Sequence, residues 1–331
     1  MDERALLQRL AAGPASGADL ARATGLTRAA VWKRVEALRE AGVEIQARPG
    51  EGYALARPMQ LLDSQAIVAA LAPAARARMA SIEVAWSIDS SNSQLLRQPA
   101  AADGMTTVLL AERQTGGRGR RGRPWASPLA AHLYLSVSRS FAGGLARLGG
   151  LSLVAGIAAA EALHAQGFRQ VRLKWPNDLV VEEGGVLRKL GGVLVEGGGE
   201  HAGPVRAVIG LGLNVSMPPA AGATIDQPWC DLAQLAAEPP SRNLIAAAVL
   251  DHWLPAFEQF DAAGLEPFLA RYAAIDALKS RAVTLHEGTT RTALALGLAA
   301  DGALLVRTGD GEEHHVHSGE VSVRCAAGNA A

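Results

Sequence analysis

Apolar residues in the first sixty positions recur at helical spacing in three short blocks. Residues 3–12, ERALLQRLAA, form one amphipathic block that ends at Gly13-Pro14. A second opens at Ser16, which with Asp19 has the spacing of a capping box, and stops at Gly25. A third starts at Thr27 and runs RAAVWKRVEALREAG to Gly42; Val31, Val35 and Leu38 share one face, while Arg28, Trp32 and Arg39 lie off it. The period then changes from helical to alternating. VEIQAR and YAL alternate apolar and polar residues about the turn PGEG, which predicts a β-hairpin over 43–55. Two helices joined through Gly25, the second with a basic outer face and followed by a hairpin, make a winged helix-turn-helix. Its candidate DNA contacts are Thr27, Arg28, Trp32 and Lys33. An αα-hairpin used only for packing is the plainer alternative.

The rest of the chain divides by the same criterion. ARPMQLLD reads as a linker, and a short helix follows in SQAIVAALA. Strand-like runs (TTVLLAE, HLYLSVS, GGVLVEG, VRAVIGLGLNV) then interleave with helices at 151–166 and 243–263. They lack a strict βαβ rhythm, so the expectation is a mixed, mainly antiparallel sheet with helices on one side. From 276 the segments become short and β-like, with Glu-Gly, Asp-Gly and Ser-Gly turns, as in a small barrel. The predicted class is α+β, with units at 1–60, 64–275 and 276–331.

Composition narrows the function. Of 331 residues 49% are apolar and 19% charged, and 32 basic side chains balance 32 acidic ones, so any basic patch is local. Cys230 and Cys325 form no CxxC pair, which supports neither a disulfide framework nor a zinc site. The N-terminal residues lack the pattern of an export signal. The apolar stretch GGLSLVAGIAAAEALHAQG is interrupted by Glu161 and His164 and is too polar to span a bilayer. A cytoplasmic protein without membrane contact is expected. HHVH at 314–317 suggests a metal, but strand alternation sends His315 and His317 to the face opposite His314.

The chemistry concentrates around RQTGGRGRRGRPW at 113–125. GRGRRG fits the letters of a dinucleotide fingerprint, yet no acidic residue occurs between Glu112 and Glu161 to hold a ribose. Two prolines and a strand-like run stand where a helix should begin. Arginines among glycines suit a nucleic-acid backbone, or bare amides closing over a small phosphorylated ligand; a solvated charged loop is the remaining option. KWPND at 174–178 crowds polar groups into a turn, RKLGGVLVE at 188–196 sets Lys189 just before a Gly-Gly strand start, and GLGLN at 210–214 ends a strand on Asn214. Together these supply cations, amides, a carboxylate and bare backbone to one cleft.

With DSSN at 89–92 in front, this ordered set resembles the biotin protein ligases over essentially the whole chain, specifically the bifunctional bacterial ligases that also repress the biotin operon. The resemblance implies a class II synthetase-like central domain shared with lipoyl ligases, and an SH3-like C-terminal barrel. It implies synthesis of biotinyl-5′-AMP from biotin and ATP with Mg²⁺, then transfer of biotin to a lysine of a carrier protein. It places biotin against Ser90, Ser91, Asn92, Gln114, Arg118, Gly119, Arg120 and Lys189, and the ATP or adenylate against Arg120, Arg121, Trp125, Asn177, Asp178 and Asn214.

Two anions meet in the first step, so Lys189, Arg118 and Arg120, with Arg121 and Arg123 nearby, are the candidates for charge stabilisation. Asp178 is the carboxylate for orienting or deprotonating the acceptor lysine, or else a turn cap. The arginine loop is expected to shield the adenylate from water. No protein metal ligands are assigned. The family also implies a homodimer on biotinyl-AMP binding and operator DNA as a partner. A ligand-sensing regulator without catalysis and a lipoyl or octanoyl ligase are the alternatives; the full arginine loop with Lys189 and Asp178 speaks against the first, the KWPND context and C-terminal barrel against the second. Ser91 stands where relatives often have threonine, Pro124 where a basic residue is common, and 216–228 is unusually rich in Pro and Gly.

Overall fold

A computed structural model describes residues 2–48, 50–142, 144, 148–199, 205–287, 289–317 and 322–325. Its first unit is built from α1 (Asp2–Ala11), α2 (Gly17–Thr24), α3 (Arg28–Glu40) and the antiparallel pair β1 (Ile45–Arg48) and β2 (Gly52–Leu55). The signals read from the sequence act as expected. The Ser16 hydroxyl accepts the Asp19 amide, Gly25 ends α2 in the left-handed region, and the Thr27 hydroxyl accepts the Ala30 amide. Leu6, Leu7, Leu10, Leu20, Val31, Val35 and Leu38 form this unit's core. Leu129 and Ala130, from the segment just beyond the arginine loop, join the same cluster. The winged helix is therefore seated on the central unit.

The stretch expected as a linker is pinned along its length. Gln60 carbonyl accepts Arg242 Nε at 3.0 Å, the Leu62 amide donates to Glu112 at 2.6 Å, and the Asp63 amide donates to Asn243 at 3.0 Å. Arg242 Nη1 and Glu112 Oε2 form a buried ion pair at 2.8 Å beneath it. Such a pair is worth little against apolar packing but costly to break singly, so it fixes the path of the chain.

The central unit begins with α4 (Ser64–Ala70), α5 (Pro73–Ala77), β3 (Met79–Ala85), α6 (Ser91–Arg97), β4 (Thr106–Ala111), β5 (Leu133–Phe141) and α7 (Leu151–Ala165). It continues with β6 (Arg172–Lys174), β7 (Asp178–Glu183), β8 (Val186–Gly199), β9 (Val205–Leu213), α8 (Pro219–Gly222), α9 (Leu232–Leu235), α10 (Arg242–Ala263) and α11 (Glu266–Ile275). The seven strands run in the order β3-β4-β5-β9-β8-β7-β6; only β3 and β4 pair in parallel. Strand alternation gives the sheet two different faces. Leu133, Leu135, Val137, Ala207, Ile209, Leu211 and Leu213 point into the main core under α7 and α10. The helices do not all lie there: α6 packs on the opposite face, where Leu95 meets Leu109 and Val208. A helix on that second face gives the sheet's polar side a wall.

The C-terminal strands β10 (Ala282–Glu287), β11 (Thr289–Leu298), β12 (Leu304–Thr308), β13 (Glu313–Val316) and β14 (Ser322–Cys325) form one antiparallel sheet in the order β13-β12-β11-β10-β14. Val283, Leu285, Leu304 and Val306 extend the central core, and the Trp175 indole donates to Gly302 carbonyl at 3.0 Å. His314 faces Thr308 across a 3.2 Å contact, while His315 is exposed. Among the described residues no helix is long and apolar enough to cross a membrane, and no three His, Cys, Asp or Glu side chains cluster as a metal site would need.

Candidate functional site

On the face of the sheet away from the main core lies a cavity of about 840 Å³. Its floor is bare by sequence design: Gly210 and Gly212 occupy alternate positions of β9, so both face the cavity while Ile209, Leu211 and Leu213 face the core. Each glycine makes room for one side chain. A Cβ on Gly210 would sit 2.3 Å from Asn92 Oδ1, and one on Gly212 would sit 2.6 Å from the Trp125 indole. GLGLN is therefore a floor on which two groups lie flat.

The DSSN segment forms one end. Ser90 caps α6, whose first turn carries Ser91 and Asn92 into the sheet. The Ser91 amide and hydroxyl donate to Gln114 Oε1 at 2.8 and 3.0 Å, and Ser136 of β5 donates to Asn92 Oδ1 at 2.6 Å. Asn92 Nδ2 donates to Glu196 of β8 at 2.9 Å. Ser90, Ser91 and Asn92 are almost fully buried, and they line the cavity beside Gln114.

The arginine loop closes on itself above this end. Gly119 and Trp125 amides donate to Arg123 and Gly117 carbonyls at 2.8 and 2.9 Å, and Arg120–Gly122 makes one tight turn with Arg121 at φ 57°. Arg118 departs from the phosphate-facing role expected of it: its guanidinium reaches down to both Glu196 oxygens at 2.8 and 3.0 Å and to Ser93 at 2.7 Å. Arg120 crosses the cavity towards Asn177 Oδ1 at 3.4 Å. Burial holds its guanidinium below the usual range, with Asp178 opposing that shift and Arg121 and Arg123 reinforcing it. The loop thus arches from the DSSN end to the KWPND turn.

At that turn the Trp175–Pro176 peptide is cis, and Asn177 Nδ2 donates to Val193 carbonyl at 2.7 Å. Asp178 opens β7 and meets Lys189 Nζ at 2.7 Å. Lys189 does not precede its strand as expected; it lies inside β8. The pairing with β7 shifts register there, because Leu190 is an extra residue between the partners of Leu179 and Val180. The bulge switches the alternation, so Lys189 shares the cavity face with Gly192 and Leu194. Trp125 covers the ammonium, with the ring centroid 5.5 Å away. The indole Nε1 is buried and has no hydrogen-bond partner among the described residues.

Asn214 is not in the cavity wall. Its Nδ2 donates to Cys230 carbonyl at 3.0 Å, which ties the end of β9 to the strand-like segment behind it. Gly119, Arg121, Arg123, Pro124 and Val193 complete the rim with Asp226, Gln227 and Pro228. The chain just beyond β9 is held by His132, whose Nδ1 accepts the Val215 amide at 3.1 Å and whose Nε2 lies 3.2 Å from Met217 Sδ. Desolvation pushes the His132 pKa down to about 3, opposed by the Ala131 backbone and aided by Arg242 and Arg57. Burial likewise raises the Cys230 thiol to about 12, which makes it an inert core group. Glu196, Ser93, Ser136 and His132 are contributors that sequence reasoning missed.

On the winged helix, Thr27, Arg28, Trp32 and Lys33 are all exposed on one end of α3. Trp32 is 56% exposed, a large apolar surface beside two cations.

Comparison with known proteins matches these units separately. The biotin/lipoate A/B protein ligase family matches residues 84–214, an HTH domain residues 3–54, and the biotin protein ligase C terminal domain residues 281–324. The bifunctional ligase/repressor BirA of Escherichia coli is 38% identical over 312 residues, 94% of this chain and 93% of that protein. BirA of Bacillus subtilis is 28% identical over 89% of this chain and 90% of its own. A solved biotin protein ligase from Aquifex aeolicus, in complex with biotin and ATP, superposes with a TM-score of 0.61 at 26% identity, covering 75% of this chain and all of that one. The chain belongs to the bifunctional biotin ligase/repressor family.

Proposed function

We propose that this protein joins biotin to ATP in the cavity, releasing pyrophosphate, and passes the biotinyl group to a carrier lysine. The observation that carries the reading is that DSSN, the arginine loop, KWPND and Lys189, scattered over a hundred residues of sequence, line one cavity of about 840 Å³. Its size and few convergent polar groups suit a ligand of adenylate size.

In this reading the buried Ser90–Asn92 end with Gln114 holds the biotin head, and Trp125, Asn177 and the arginine rim hold the nucleotide. A biotin carboxylate oxygen bonds to the α-phosphorus as the bond to pyrophosphate breaks. Lys189 and Arg120 supply fixed positive charge where negative charge gathers. Lys189 is paired with Asp178 at 2.7 Å. An incoming anion competes for that ammonium and leaves the Asp178 carboxylate to take a proton from the acceptor amine. The amine nitrogen then bonds to the acyl carbon and AMP departs.

Magnesium neutralises the nucleotide's phosphate charge when bound. Phosphate oxygens would hold it mainly, and Asp178 and Asp226 are the lining carboxylates placed to add a ligand. The exposed end of α3 carries the DNA contact through Thr27, Arg28, Trp32 and Lys33. Adenylate binding promotes a homodimer that sets two such helices about 34 Å apart, one turn of DNA.

The test is one incubation with labelled biotin and ATP, read twice: for label on a carrier domain and for a gel shift on the source organism's biotin promoter. Label with a shift supports both activities. A shift without label favours a regulator lacking catalysis, and label without a shift leaves a ligase alone.

A further inference from the structure

We infer that Glu196 is a positioning residue: it fastens the arginine loop to the sheet and sets the biotin end of the cavity in shape. The inference rests on the ligase reading above, to which it adds a residue outside the cavity wall.

Two donor nitrogens, making three contacts, converge on this one carboxylate. Arg118, from the loop, gives two guanidinium bonds at 2.8 and 3.0 Å; Asn92, from α6, gives one at 2.9 Å. Glu196 itself stands on β8, a strand interior paired to β9 at Val208, so it is the rigid member of the group. Both partners of the ion pair are about 70% buried, since their side chains are 30% and 27% exposed. A carboxylate so placed serves two ends. Through Arg118 it holds down the start of the loop whose far side reaches Asn177. Through Asn92 it orients an amide whose oxygen accepts the Ser136 hydroxyl, and Ser136 Oγ lies 2.7 Å from the hydroxyl of Ser91, the residue that meets Gln114.

The donor and acceptor directions at the biotin end follow from that chain. Asn92 Nδ2 must donate to Glu196, so its Oδ1 must accept. Ser136 then donates rather than accepts at that atom. An amide at 196 in place of the carboxylate offers an N–H to Arg118 or to Asn92, and either way breaks the pattern. The Asn92 amide occupies the space that a Cβ at Gly210 would fill, only 2.3 Å from its oxygen.

Two measurements on the full chain test this, with wild type carried throughout. The loop's arginines are themselves trypsin sites, so limited digestion reads loop opening without catalysis. In Glu196→Gln the loop is cut about tenfold faster while sites elsewhere keep their rates, and KM for biotin rises about tenfold with a smaller change in kcat. Should Glu196→Gln digest faster everywhere, Arg118→Lys removes the same guanidinium contact from the loop side; it must then give acceleration confined to the loop. Wild-type rates and biotin KM in Glu196→Gln overturn the inference, as does uniform acceleration in both variants. A wild-type protein that makes no biotinyl-AMP sinks the ligase reading instead, and leaves the digestion result to decide whether Glu196 ties down the loop.

Discussion

Gly212→Ala adds one methyl group to a central strand and is predicted to slow adenylation without weakening the fold. The new Cβ would lie 2.6, 2.8 and 3.0 Å from Cε2, Nε1 and Cζ2 of Trp125, where ordinary contact begins near 3.4 Å. The indole must therefore retreat by roughly 0.8 Å, the difference between 2.6 and 3.4 Å. Its Nε1 has no hydrogen-bond partner among the described residues, so the ring yields rather than the sheet. Its movement disturbs the cover over Lys189 at 5.5 Å and the surface assigned to the nucleotide. A misplacement of about 1 Å at a reacting centre costs on the order of a hundredfold in rate. Outside the left-handed region alanine restricts the unfolded chain more than glycine does, which favours folding by about 0.4–1 kcal/mol. The expected variant melts no lower than wild type but loses about thirty- to a hundredfold in kcat/KM for ATP by pyrophosphate exchange, with biotin affinity little changed. In a Trp125→Ala background the same methyl should cost almost nothing. Full activity in Gly212→Ala, or losses that simply add in the double variant, would refute the steric argument.

Three further outcomes follow from the same geometry. Asp178→Asn should lower transfer to the carrier by about a hundredfold or more but adenylation by tenfold at most, measured as separate half-reactions; equal losses would make Asp178 only a holder of Lys189. Arg120→Gly removes the arch to Asn177, and biotinyl-AMP should leak into solution at least about tenfold faster; an unchanged release rate, followed on a filter, would mean the loop is no lid. His132 is held near a pKa of about 3, so the unfolded chain takes a proton that the folded chain refuses once pH falls below 6.5. Stability should then decline by up to about 1.4 kcal/mol for each pH unit from 6.5 towards 3. Urea titrations of His132→Asn should show a shallower slope over that window, and identical slopes would place the acid sensitivity elsewhere.

Much of this molecule was legible because local rules and tertiary structure agree. The caps at Ser16 and Thr27, the apolar face of α3 and the alternation of the wing all form as their residues dictate. The ordered motifs also gave the family, since a set of short patterns in fixed order constrains far more than the glycine-rich fragment alone. What escaped the sequence depends on register and distance. Lys189 faces the cavity only because Leu190 bulges from β8, and no alternation pattern marks that residue. Glu196 closes the RKLGGVLVE motif yet its role is set by Arg118, 78 residues away. Asn214 looked like a ligand contact from its place at a strand end, but its amide is committed to Cys230 carbonyl. The segment expected as a linker, ARPMQLLD, is fastened by Arg242, Glu112 and Asn243, all far along the chain.

In the proposed reaction the cavity joins a biotin carboxylate to the α-phosphate of ATP. Mixing the full-length protein with biotin and α-labelled ATP, without any carrier, tests it directly. A labelled adenylate should form in an amount close to one per chain, stay with the protein through gel filtration, and be discharged as AMP when a carrier domain is added. No biotin-dependent adenylate, with ATP returned unchanged, would contradict it.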